Sequence, residues 1–285
     1  MTKLVYFKKT LIICSIISLA YGQSDFSFRN ISVKDGLAES TVKVIYEDHN
    51  GLMYLGTENG LDVYDGYEFN NYHMNSFDDN SIFGNKVSSI SEDKKGNIWV
   101  GTELGVSVFD PRTRTFSRPI NSKELNGNIL EDPETIIDDY YGNIWIKLSG
   151  NGKIYKYNDS TQSTSCMNCN NNSELDSLKI TVLFGDHSNT IWFGSESGLF
   201  SYDPKFDKIN RYPLEIGMIN SIVNGKKNEI WVGSNNGLVR VINGPNGNYS
   251  IYKKSSSQSS IVSNYVKDLA WDTNRNMLWI ATDNG

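Results

Sequence analysis

One phrase returns six times along the chain. It reads GLMYLGTENGLDVYD from Gly51, GNIWVGTELGVSVFD from Gly96, GNIWIKLSGNGKIYKYN from Gly142, NTIWFGSESGLFSYD from Asn189, NEIWVGSNNGLVRVIN from Asn228 and MLWIATDNG from Met277. Repetition at a fixed interval constrains a fold more than any composition does, because each copy must bury its apolar surface against the next. The aromatic residues Tyr54, Trp99, Trp145, Trp192, Trp231 and Trp279 mark the period, with spacings of 45, 46, 47, 39 and 48 residues. They are read as the structural anchors of the repeat.

Within a copy, apolar and polar residues alternate, as in Ile98-Trp99-Val100 and Val106-Ser107-Val108-Phe109, and Gly, Asn and Asp punctuate every few residues. That is the pattern of short antiparallel strands, and no window sustains a helical period. Six residues after five of the anchors stands Gly60, Gly105, Gly198, Gly237 or Gly285, often after Asn, which predicts a hairpin with a primed turn. Six residues before four of the anchors stand Asp48, Asp93, Asp139 and Asp186, marking a second turn; Asp65-Gly66, Asp110-Pro111 and Asp203-Pro204 mark a third. Four strands in about 45 residues is the arithmetic of a β-propeller blade. The expected fold is all-β: a β-propeller of four-stranded blades near 41–72, 86–118, 134–157, 179–212, 219–252 and 264–285. The sixth blade stops in its first hairpin, so about six blades of a seven-bladed ring are expected in a fragment of a longer protein. Phe26 to Ile31 alternates like an outer strand. Gly56, Gly101, Gly194 and Gly233 are expected to let sheets approach. Lys147-Leu148 replaces that Gly-Thr pair, predicting local distortion in the third blade.

The N-terminus reads as an export signal over residues 1–22. Lys3, Lys8 and Lys9 precede the apolar run Leu11 to Leu19, and Ala20-Tyr21-Gly22 offers small residues before cleavage at Gln23. Residues 23–285 then form a periplasmic domain. With 38% hydrophobic residues the chain can bury a core, and its net charge of −6 argues against a nucleic-acid partner.

The pattern D-x-x-G-x-hydrophobic-W-hydrophobic-G-T-x-x-G-L-x-hydrophobic-aromatic-D, seen from Asp93 to Asp110 and with Tyr for Trp from Asp48 to Asp65, resembles the two-component regulator propeller repeat. The likeness covers residues 25 to 285, and the opening DGLAESTVKVIYEDHNGLMYLGTENGLDVYDGYEFNNY is similar to the first blade of periplasmic sensors in hybrid two-component systems. The resemblance implies an oligosaccharide ligand and signalling to genes for polysaccharide use. It also implies a homodimeric full-length histidine kinase in the inner membrane, anchored through downstream regions. It transfers no ligand-binding residue. The alternatives are a propeller scaffold without a kinase and a propeller carbohydrate-active enzyme.

The residues themselves point to no catalytic, metal or cofactor set. The carboxylate pairs Glu47-Asp48, Glu92-Asp93 and Asp138-Asp139 recur at one turn, as capping predicts; Asp78-Asp79 stands apart. His49 and His187 occupy equivalent turns, and His73 lies in a connection. Cys166 and Cys169 sit in a polar insertion, where an exported compartment favours a disulfide over a zinc site or redox centre. The candidate binding surface comprises the connections 73–85, 119–133 and 158–178 with the Gly turns at 58–60, 103–105 and 196–198; Tyr46 and Trp271 are candidates to stack on a sugar.

Overall fold

A computed structural model describes residues 28–120, 132–169, 175–176, 178–242, 244 and 247–285. The proposed signal and its cleavage point, Phe26, Ser27, most of the 119–133 connection and part of 158–178 lie outside these residues. Residues up to Ser32 form one unit, of which Phe28–Ser32 carry no regular secondary structure. The strand expected over Phe26–Ile31 is therefore absent from its described part: alternation makes a strand possible, and only pairing makes one.

The second unit, Val33–Gly285, is built of antiparallel sheets. The first sheet holds β1 (Val42–Glu47), β2 (Met53–Thr57), β3 (Gly60–Tyr64) and β4 (Phe69–Tyr72). The second holds β5 (Val87–Glu92), β6 (Ile98–Thr102), β7 (Gly105–Asp110) and β8 (Thr115–Ser117). The third holds β9 (Pro133–Asp138), β10 (Asn143–Leu148), β11 (Ile154–Asn158) and β12 (Ser163–Cys166). The fourth holds β13 (Ile180–Gly185), β14 (Ile191–Ser195), β15 (Gly198–Asp203) and β16 (Lys208–Arg211). The fifth holds β17 (Ile219–Asn224), β18 (Glu229–Ser234), β19 (Gly237–Ile242) and β20 (Asn248–Tyr252), and the last pairs β21 (Val266–Asp272) with β22 (Met277–Thr282). In the four-stranded sheets each strand pairs with its sequence neighbour, so every sheet is a meander and the architecture is that of propeller blades.

The anchors explain the order of the blades. Tyr54 packs in one cluster with Val87, Ile98 and Phe109 of the second blade, and Trp99 with Ile136, Ile146 and Tyr157 of the third. Trp145 lies 4.9 Å from Tyr202 and 5.8 Å from Phe193 of the fourth, centroid to centroid, and Trp192 joins Ile219, Val232 and Val241 of the fifth. Trp231 packs against the last sheet, and Trp279 is 54% exposed.

Two further repeating contacts set the spacing. Each first strand carries a bulge at the equivalent residue: Lys43, Ser88, Glu134, Thr181, Asn220 or Lys267. Three of these reach the next blade's first strand: Ser88 Oγ donates to Pro133 O at 2.8 Å, Thr181 Oγ1 to Ile219 O at 2.6 Å, and Asn220 Nδ2 to Val266 O at 2.7 Å. Opposite the bulge stands the repeated glycine. A Cβ on Gly194 would lie 2.6 Å from Ile219 Cγ2, and one on Gly233 2.6 Å from Val266 Cγ1, so the next blade occupies the space a side chain would need.

The hairpin turns differ from expectation. Positive φ falls on the Gly alone (111° at Gly60, 144° at Gly105, 140° at Gly198), and neither residue before it has positive φ. The turn is therefore not primed, since a type I′ turn needs positive φ at both central residues. It is held by the preceding hydroxyl: Thr57, Thr102, Ser195 and Ser234 each donate to the carbonyl of their Gly at 2.7–3.0 Å. Leu148 lacks that hydroxyl, and the third blade turns instead through Ser149 to Gly152. Its distortion is confined there, because the β9–β10 bulge keeps the common register.

Candidate ligand site

The Asp of each second turn caps it. Asp139 Oδ1 accepts the backbone N–H of Tyr141 and Asn143, and Oδ2 accepts from Asn143 Nδ2 and, at 2.9 Å, from the indole Nε1 of Trp145. Asp93 and Asp186 do the same for Trp99 and Trp192, and Asp48 accepts from the Tyr54 hydroxyl. These carboxylates are thereby committed to structure. The fifth blade has Gly225 where the first four have Asp, and Glu229 Oε1 accepts from Trp231 Nε1 instead. A Cβ on Gly225 would fall 2.6 Å from that Oε1, so the glutamate carboxylate fills the missing aspartate's place, with Arg240 Nε donating to its other oxygen at 2.8 Å.

The residue after three of these caps leans on the next blade. The His49 backbone N–H donates to Glu92 Oε2 at 3.0 Å while its ring Nδ1 bonds the same carboxylate, and the His187 backbone N–H donates to Asn224 Oδ1 at 3.2 Å. Lys94 Nζ sits 4.3 Å over the ring of Tyr140, which packs edge-on against Tyr141; both tyrosines are exposed. Where the first three blades meet, Tyr46, His49, Glu92, Lys94, Lys95 and Asp138 line a cavity of about 350 Å³.

Asp138 is held above the ordinary carboxylate range, first by burial, against the opposing pull of Lys94. Burial likewise raises the Tyr46 hydroxyl, with the charge of Glu92 adding to it. A carboxyl with a raised pKa contributes stability that is present below its unfolded value of about 3.9 and lost as pH rises through the folded value. Asp138→Asn should therefore raise the melting temperature at pH 7 by about 1–3 °C and leave it unchanged near pH 3. Thermal scans at the two pH values check this.

This cavity lies among the turns that follow the first strands. The surface expected from sequence, the Gly turns and blade connections, lies at the other ends of these strands. Of the sequence candidates, Tyr46 and His49 are brought together here. His73 and His187 are exposed elsewhere, and Trp271 stands on β21. Cys166 and Cys169 face each other with Cα atoms 5.6 Å apart. The sequence does not group Glu92, Lys94 and Asp138, because each is an ordinary turn residue in its own repeat. No cluster of ligating side chains able to hold a metal is found among the described residues.

Residues 81–103 match the family described as two component regulator propeller. A stretch of 66 residues, 23% of the chain, is 39% identical to histidine kinase P4 of Formosa agariphila, of which it covers 5%. Among solved structures, the chain resembles the extracellular domain assigned to a hybrid two component system of Bacteroides thetaiotaomicron, with TM-score 0.64, 19% identity, and 92% of this chain against 34% of that one. It also resembles PorZ, a surface component of the type-IX secretion system of Porphyromonas gingivalis, at TM-score 0.61 and 19% identity, over 86% of this chain and 38% of that one. A streptogramin B lyase matches at TM-score 0.59 and 14% identity, over 91% and 82% of the two chains. The chain thus carries the two component regulator propeller repeat on a β-propeller fold, and it spans only a small part of the kinase and about a third of the first structural relative. At these identities the structural likenesses define the fold alone.

Proposed function

We propose that residues 23–285 are a ligand-sensing, non-catalytic part of the extracytoplasmic region of a two-component sensor histidine kinase. The observation that carries this reading is the regulator propeller repeat in a chain whose turn carboxylates are spent on holding anchors. The ligand is an oligosaccharide, and the cavity at Tyr46, Glu92 and Asp138 is where it contacts this segment. A sugar suits the site: carboxylates and a phenol hydroxyl pair with ring hydroxyls, and the exposed Tyr140 and Tyr141 beside it offer faces for stacking. A ligand seated there touches three blades at once and favours one arrangement of them, and only such differential affinity shifts a two-state receptor. No helix among the described residues is long and apolar enough to cross a membrane.

Calorimetry of the complete periplasmic region against plant and algal oligosaccharides tests the reading. Saturable binding without turnover is expected, with Tyr46→Ala weakening it by about tenfold, the loss of roughly 1.4 kcal/mol. Turnover of any sugar would overturn the non-catalytic reading, and binding unaffected by Tyr46→Ala would remove the cavity from it.

A further inference from the structure

The joint between the third and fourth blades lacks both repeating devices. At the glycine position stands Lys147, buried, its Nζ bonded to Glu134, and Glu134 itself occupies the bulge position where Ser88, Thr181 and Asn220 donate across three of the other joints. A carboxylate cannot donate, so this joint must be closed another way.

It is closed from the loop Cys166-Met167-Asn168-Cys169. Asn168 is buried and its side-chain amide is fully used: Oδ1 accepts the Ile154 N–H at 2.9 Å, while Nδ2 donates to Gly152 O at 3.1 Å and to Leu178 O at 3.0 Å. Gly152 and Ile154 belong to the third blade's hairpin; Leu178 leads into β13 of the fourth. Ile180 N–H also donates to Gly152 O, at 3.4 Å. The neighbouring Met167 packs with Trp145, Ile180 and Phe193, and its N–H donates to Ile154 O at 2.9 Å. At the joints between blades one and two and between five and six, the bridging amide is Asn85 or Asn264, placed just before the next blade's first strand. Here it comes from the other side, within the short ring closed by Cys166 and Cys169, and Cys169 is exposed.

We propose that the Cys166–Cys169 disulfide is a reducible latch that holds Asn168 across the third joint, and that an extracytoplasmic dithiol is its reductant. A thiolate of the dithiol attacks one sulfur, breaking the S–S bond and forming a mixed disulfide. Its second thiol then displaces the protein sulfur, leaving two protein thiols and the dithiol oxidised to a disulfide, with two electrons and two protons transferred. Freed of the ring, the loop gains backbone entropy and Asn168 is released, so the joint loosens locally and the other joints stay closed.

Hydrogen exchange of the whole protein, oxidised and after dithiothreitol, reads this out, with thiol status set by mass spectrometry. The oxidised 166–169 peptide should be two hydrogens light. On reduction, the amides of Ile154, Met167 and Ile180 should exchange at least about tenfold faster, with those of Val87 and Val266 unchanged. Asn168→Ala should give the same pattern while still oxidised, and the double variant Cys166→Ser, Cys169→Ser should give it without further response to reductant. Unchanged exchange with both thiols shown free would overturn the latch, as would two free thiols in untreated protein from the periplasm. A uniform rise over all joints would overturn it too, by making the disulfide a global staple.

Discussion

Trp145→Ala should destabilise the propeller by about 3–5 kcal/mol, whereas Trp279→Ala should change stability by less than about 1. The two residues hold the same place in the repeat, and what differs is the partner surface. Trp145 is fully buried between blades, against Phe193 and Tyr202, with Lys156 Nζ 5.4 Å from its ring. Truncation removes that burial and leaves a cavity that a rigid pair of sheets cannot collapse around. Trp279 is more than half exposed and loses little. Chemical denaturation of both variants measures the contrast; equal effects would show that the anchors act within their own blade.

Asp139→Ala is the second large change, expected at about 3–5 kcal/mol. The carboxylate is buried and receives four donors, two backbone and two side-chain, one of them the indole of Trp145. Removing it strands buried donors at about 1–3 kcal/mol each, of which water entering the gap recovers a part. Asp139→Asn should be nearly as harmful, because an amide group presents N–H to donors. In the fifth blade the same logic predicts a specific rescue: Gly225→Asp is harmful alone, since Glu229 already fills the space, and is tolerated with Glu229→Ala, which empties it. Denaturation midpoints of the single and double variants decide between these outcomes.

The propeller is legible because its physics is periodic. An anchor that must meet the next sheet recurs at blade spacing, and so do the Asp that accepts its N–H and the Gly that makes room for the neighbour. Reading fails where a compensation is made in space. Nothing in the order of residues says that Glu229 stands in for an aspartate, because the substitution comes from the opposite side of the turn. The Asn-Gly pairs predict primed hairpins, yet positive φ is confined to the Gly and the Thr or Ser hydroxyl closes the turn. The Lys147-Leu148 pair marks the third blade's distortion, but its remedy lies in Asn168, twenty residues on, in a connection between blades whose sequence the other copies do not share. The cavity is hidden for a related reason. Tyr46, Glu92 and Asp138 come from three successive copies, and each copy alone shows only a polar turn.

The central claim is that this propeller reports a bound ligand to a kinase. Full-length protein in membrane vesicles, given the oligosaccharide that binds in calorimetry and labelled ATP, tests it most directly. A ligand-dependent change in autophosphorylation, reduced by Tyr46→Ala in proportion to its loss of affinity, is the predicted result. Phosphate incorporation indifferent to saturating ligand, or no incorporation at all, would contradict the sensor and leave a propeller that serves as a scaffold.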